Sequence, residues 1–245
     1  MRPLKKLALT CATVAFLGIN TLPAQAIIDG EKADHPAIVQ IHIHDGLKDD
    51  GTPHHCTGTQ ISPSWVLTAA HCIEGNSYAD PKADPEMLKI YFSNDIEHPG
   101  PAATVDRYVE QKYADLVLMH LSQDHQLSSY PVVAQEHQFV PGEQATLYGY
   151  GSGAYDQPHP TWLRSATLKA LSQEEHINAG HVTKWSGVNG GSNHGDSGGP
   201  VMNDQGEIIG VNALGSHAPY PMSGAYSQSV DITRYRGWVK ETAGV

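Results

Sequence analysis

From residue 27 onward the apolar positions fall in short runs, few of them at helical spacing. Residues 37–44 alternate as a half-exposed strand does, with Ile41 and Ile43 on one face and His42 and His44 on the other. Residues 60–68 and 88–92 read as further strands. In the second half, residues 145–150, 163–171, 181–185, 206–211 and a stretch near 225–230 do the same, several of them flanked by Gly, Pro or Ser. Residues 114–121 form an apolar strand with a single carboxylate, Asp115, at its head. The rest of 73–104 is rich in Pro, Asp, Glu and Asn and reads as surface loops. Its carboxylates match no calcium loop spacing. Residues 122–129 are polar and without period, which marks a linker. Only the end of the chain looks helical: Ile232, Tyr235, Trp238 and Val239 share one face of a helix over 232–241.

Composition agrees with many short strands. The 245 residues include 24 Gly and 16 Pro, and only 17% are charged. That length suits one large domain or two of about 100 residues each. Residues 1–26 read as a secretory signal peptide: Arg2, Lys5 and Lys6 lead, an apolar run follows from Leu7 to Ile19, and Ala24-Gln25-Ala26 suits signal peptidase. Cleavage near Ala26 implies a secreted or periplasmic protein starting at Ile27 with no stable membrane anchoring. The formal net charge is -11, and -14 once the three basic residues of the leader are gone. A nucleic-acid partner is thereby excluded. Cys11 leaves with the leader. Cys56 and Cys72 remain in an oxidising compartment, where a bridge is the default.

The candidate chemistry centres on residues 193–200, Asn-His-Gly-Asp-Ser-Gly-Gly-Pro. Gly195, Gly198 and Gly199 let the backbone around Ser197 adopt turns that a Cβ forbids. A hydroxyl nucleophile needs nearby N–H groups aimed at the charge that develops on the attacked carbonyl, and Gly195 and Ser197 supply two. Taken alone, the string also fits a polar hairpin loop, or the Gly-x-Ser-x-Gly elbow of α/β-hydrolases. Small residues precede His71, leaving room around its ring, and a bridge through Cys72 would pin it as a general base. His42 and His44, with His54 and His55 nearby, fit either a chelating pair or a solvated face. No carboxylate or cysteine spacing completes a metal site, so no metal and no cofactor are expected.

Chain order separates these readings. An α/β-hydrolase places its acid and then its histidine after the serine, within alternating strands and helices, and that alternation is missing here. The order His71, Asp115, Ser197 is that of chymotrypsin-type serine proteases. The chain resembles that family from 27 to 245: Ile27-Ile28-Asp29-Gly30 is similar to its mature N-terminus, 68–72 to its histidine motif, 115–121 to its aspartate motif, and 195–200 to its serine motif. Cys56 matches the cysteine that pairs with the one after the histidine. Tyr148 to Gly151 is similar to the Gly-Trp-Gly segment, and Tyr226 and Trp238 have counterparts too.

The resemblance implies an all-β fold of two six-stranded antiparallel β-barrels, with the active site in the cleft between them and a C-terminal helix. The barrels would span 27–127 and 128–245. It further implies a serine endopeptidase with the triad His71, Asp115 and Ser197, an oxyanion hole from Gly195 and Ser197, and an activation pair of Ile27 with Asp196. Protein or peptide substrates are the expected partners and protein inhibitors a further class, with the enzyme a monomer. The substrate pocket would involve Gly191, Ser192, His194, Leu214, Gly215 and Gly224. Gly191 replaces the aspartate of trypsin-like members, so Lys/Arg specificity is not expected. The pocket suits a large apolar or aromatic residue, or a polar one read by Ser192. Ala213-Leu214-Gly215 stands where Ser-Trp-Gly is usual, which removes a hydroxyl that commonly bonds the catalytic aspartate. A single bridge suggests a bacterial or early-branching member. A non-catalytic homologue serving as a binding module, and an esterase on the same scaffold, are the competing functions.

Overall fold

In the computed structural model, which describes residues 27–44, 54–74, 82–152, 160–215 and 226–245, strand β1 (Glu31–Lys32) precedes two antiparallel barrels. The first closes in the order β2-β3-β4-β7-β6-β5, from β2 (Ile38–Ile43), β3 (His54–Ser62), β4 (Trp65–Thr68), β5 (Leu88–Tyr91), β6 (Ala103–Glu110) and β7 (Val117–Leu121). The second comprises β8 (Gln144–Gly149), β9 (Arg164–His176), β10 (Gly180–Gly187), β11 (Pro200–Met202), β12 (Ile208–Gly215) and β13 (Tyr226–Asp231). It closes in the order β8-β9-β10-β13-β12-β11, and β1 extends one edge of β9.

The strongest apolar runs are strands buried on both faces. In β7, Val117, Met119 and Leu121 enter the core of the first barrel, while Leu118, with Leu116 just before the strand, enters a second cluster shared by the two barrels. A strand with apolar neighbours on both sides loses its period of two and reads as a continuous run. β2 divides likewise, with Val39, Ile41 and Ile43 in the barrel core and Ile38 in the shared cluster. Gln40 of β2 is also buried, and its amide donates to the carbonyls of Ser93 and Asp95, at 2.8 and 3.1 Å. The second barrel packs around Leu147, Ala166, Leu168, Trp185 and Val201, joined by Ile27.

Several differences from the sequence pattern have physical causes. Residues 60–68 are two strands, turning at Pro63–Ser64. β6 lacks an apolar signature because Val105 is its one fully buried residue. β9 runs thirteen residues, its polar end from Ser172 to His176 being held by pairing with β10. The terminal helix starts as a 3-10 turn over Ile232–Tyr235, capped by the Asp231 carboxylate, and continues as α1 (Arg236–Ala243). Ile232 and Val239 are buried in the shared cluster, with Tyr235 and Trp238 packed against it. The leader, 1–26, lies outside the described residues, as does Gly224. No helix among the described residues is long and apolar enough to cross a membrane.

Cys56 on β3 and Cys72, in the 3-10 turn after β4, form a disulfide with a sequence separation of 16. Loop closure of this length stabilises a fold by about 3 kcal/mol on the chain-entropy account. Replacing both cysteines by alanine is expected to lower the urea-unfolding free energy by about that amount. An unchanged midpoint and slope would show that the bridge contributes nothing.

Candidate active site

Three segments from two barrels converge. Thr68 ends β4, and the chain turns at once into a 3-10 turn over Ala70–Ile73 that carries His71. Asp115 precedes β7, its own N–H bonded to the Ala179 carbonyl at 3.3 Å. Both of its carboxylate oxygens are used by one residue: Oδ1 accepts from the His71 backbone N–H at 2.8 Å, and Oδ2 lies 2.7 Å from His71 Nδ1. The ring and its backbone are thus held together without the hydroxyl that Ala213 lacks. Burial alone would lower the His71 pKa. The hydrogen bond and charge of Asp115, helped by Glu74, outweigh it and raise the pKa above that of an ordinary histidine.

Ser197 comes from the loop between β10 and β11, and its position is fixed from the opposite barrel. Thr57 of β3 donates its N–H to the Ser197 carbonyl at 2.8 Å and its hydroxyl to the Gly195 carbonyl at 2.8 Å. The same hydroxyl accepts from the Tyr150 N–H at 3.0 Å. At Gly198, φ is 80°, and a Cβ would lie 1.8 Å from Thr68 Oγ1, so only glycine fits. The Ser152 N–H donates to the His194 carbonyl at 2.6 Å, and a trans peptide then points the Gly195 N–H the opposite way. Among the described residues neither Gly195 nor Ser197 donates its N–H to a backbone carbonyl.

His71, Ser192, His194, Ser197, Leu214 and Gly215 line one hollow of about 220 Å³, together with Asn193, Asn212 and Ala213. A larger hollow of about 620 Å³ shares His71, Ala213 and Leu214 and has the exposed Tyr113 and Ile177 among its walls. Gly191 lies apart from the smaller hollow's wall, exchanging two 3.0 Å backbone hydrogen bonds with Ile28. Thr57 and Asn212 were not legible as site residues, since each is a polar residue within a strand whose partner loop is remote in sequence. Cys56, His71 and Cys72 place their ligand atoms close together, but the two sulfurs are bonded to each other and are not free thiolates. His42 and His55 face each other across β2 and β3, with ring centroids 6.4 Å apart.

Asp196, beside the serine, is completely buried. Burial pushes its carboxyl up to about 7 against the pull of two amide donors, Gly151 and Asn193, each at 2.8 Å. Ile27 is equally buried, in the second barrel's core, and its backbone takes φ 49°, which is strained for a β-branched residue. Its amide is not among the donors to Asp196, and in this chain its nitrogen is an uncharged peptide nitrogen bonded to Ala26.

Residues 27–239 match the trypsin family. Human kallikrein-8 is 30% identical over 206 residues, 77% of this chain and 77% of kallikrein-8. A trypsin from Simulium vittatum is 31% identical over 237 residues, covering 83% of this chain and 91% of that protein. The crystal structure of the scabies mite inactivated protease paralogue S-D1 superposes with a TM-score of 0.71 at 17% identity, covering 89% of this chain and 97% of the other. These relatives are animal proteins, so the single disulfide does not mark a bacterial origin.

Replacing Asp115 by asparagine is expected to lower the His71 pKa, because the desolvation of a half-buried ring then acts without its main opponent. A raised histidine pKa stabilises the fold below the unfolded value of about 6.5, and the gain is lost as pH rises through the folded value. The stability difference between wild type and Asp115→Asn should therefore be largest on the acidic side and shrink above neutrality. Histidine NMR titration together with urea unfolding across pH checks both, and an unmoved His71 pKa would refute the assignment of cause.

Proposed function

Because the chain belongs to the trypsin family, we propose that it is a secreted serine endopeptidase acting on protein or peptide substrates. The observation that carries this reading is the Asp115–His71 pair, joined by two hydrogen bonds, with His71 lining the same hollow as Ser197. His71 takes the Ser197 proton as the hydroxyl attacks the substrate carbonyl and returns it to the leaving amine. Asp115 holds the tautomer and stabilises the imidazolium. The amides of Gly195 and Ser197 receive the oxyanion, and water then cleaves the acyl-enzyme. The larger hollow continuing past Leu214 supports an extended chain as substrate, rather than a small ester.

The chain is proposed to become active on export. Cleavage after Ala26 converts the Ile27 nitrogen into an ammonium and removes the preceding carbonyl that defines its strained φ. That ammonium is the proposed counter-charge for Asp196, whose two amide partners leave its charge uncompensated. An ammonium gaining a carboxylate partner has its pKa raised, so its stabilisation is full below the unfolded value of about 8 and lost as pH rises through the folded one. Without it, the raised pKa of Asp196 makes the fold lose stability as pH climbs from 3.8 towards about 7. A protein starting at Ile27 is expected to lack that decline, and one carrying an extra N-terminal residue to show it. Intact-mass measurement of the secreted protein should find Ile27 first. Any other start excludes direct activation by the signal peptidase.

A fluorophosphonate probe is expected to label the trimmed protein, and Ser197→Ala to abolish the labelling. Turnover of a peptide substrate should fall about a millionfold in that variant. Absence of labelling in a folded protein with Ile27 first would replace the endopeptidase by the binding-module reading.

A further inference from the structure

We propose that Thr57 is a positioning residue for the reaction, its hydroxyl setting the direction in which Gly195 presents its amide to the oxyanion; this rests on the endopeptidase reading above. Gly195 has φ 92°, and a Cβ there would stand 2.7 Å from the His55 ring and 2.9 Å from the Gly151 Cα. Glycine is therefore required. It brings no side-chain preference to hold its own N–H in one direction, so that direction has to be imposed on the peptides at either side.

The peptide before Gly195 is held at the His194 carbonyl, which accepts from the Ser152 N–H at 2.6 Å. The peptide after it is held at the Gly195 carbonyl, which accepts from the Thr57 hydroxyl at 2.8 Å. Ser152 follows β8 of the second barrel and Thr57 lies on β3 of the first, so the glycine is suspended between one anchor from each. Removing the hydroxyl leaves the φ of a glycine with only one of its two carbonyl anchors in place, and its N–H turns with that angle.

The hydroxyl is itself well fixed. A carbonyl only accepts, so the single hydroxyl proton goes to Gly195, while the hydroxyl oxygen accepts from the Tyr150 N–H at 3.0 Å. Thr57 is fully buried and β-branched, which makes its χ1 stiff, and its methyl lies 3.3 Å from where a Cβ of Gly199 would stand. Its backbone makes separate bonds: the N–H donates to the Ser197 carbonyl at 2.8 Å, and the carbonyl accepts from the Thr68 hydroxyl at 2.8 Å. Those bonds do not involve the side chain, so substitution there separates the pull on Gly195 from the docking of β3 on the serine loop. Loss of an oxyanion donor costs about a hundred- to thousandfold in turnover, and a misdirected donor forfeits part of that.

The test uses the protein beginning at Ile27, a peptide ester, and the same ester with sulfur in place of the attacked carbonyl's oxygen, since sulfur accepts hydrogen bonds weakly. Thr57→Val keeps the side chain's shape and loses the hydroxyl. Its kcat on the ester is expected to fall about ten- to a hundredfold with KM unchanged. Its preference for the ester over the sulfur analogue should shrink about tenfold, because that ratio reads the oxyanion donors alone. Thr57→Ser keeps the hydroxyl and should stay close to the wild type in both measures. Where Thr57→Val fails to fold, Thr57→Ala carries the same comparison. An unchanged kcat in the folded variant, an equal fall on both esters, or a Thr57→Ser protein as impaired as Thr57→Val overturns the proposal while the endopeptidase reading stands. A wild type that cuts neither ester overturns both.

Discussion

Thr57 joins the two barrels at the point where the proposed chemistry requires it. His71 and Asp115 belong to the first barrel and Ser197 to a loop of the second, so their alignment depends on how one barrel grips the other. Thr57 supplies the grip with its backbone N–H on the Ser197 carbonyl and its hydroxyl between the Gly195 carbonyl and the Tyr150 amide. Thr68, one turn before His71, donates its own hydroxyl to the Thr57 carbonyl at 2.8 Å. The strand ending at the histidine and the loop carrying the serine are thus tied to one fully buried residue. The apolar cluster shared by the barrels keeps water away from this joint, which strengthens each hydrogen bond in it.

A second constraint is electrostatic. Asp196 sits inside the protein with only neutral donors around it, and its carboxyl responds by rising to about 7. The N-terminal segment is pinned to the same barrel, by Ile28 to Gly191 and by β1 to β9. The proposed ammonium at Ile27 would join the N-terminal segment to the loop that carries Gly195 and Ser197. Stability and activity would then share one buried charge, and the segment that supplies it would be held by the second barrel alone.

The serine loop is braced from below by the same packing. Asn212 lies on β12 with its backbone committed on both sides, its N–H to Gly199 and its carbonyl to the Gly198 N–H, at 2.8 and 2.7 Å. Its side-chain amide braces the Asp196 carbonyl at 3.1 Å, so β12 holds the serine loop by backbone and side chain alike.

Much of the architecture is legible in the chain itself. Strands such as β2, β5 and β8 carry their apolar pattern openly, the terminal helix shows its docking face, and His71, Asp115 and Ser197 stand within local motifs in a telling order. Those features are short-range, because side-chain period and turn chemistry act over a few residues. β6 escapes because its exposed faces carry no period, β11 because three residues are too few to show one, and the polar end of β9 because only pairing with β10 makes it a strand. Thr57 and Asn212 escape for a related reason: a buried polar residue acquires its role from a partner far along the chain, and only the closed barrels bring that partner within hydrogen-bond reach.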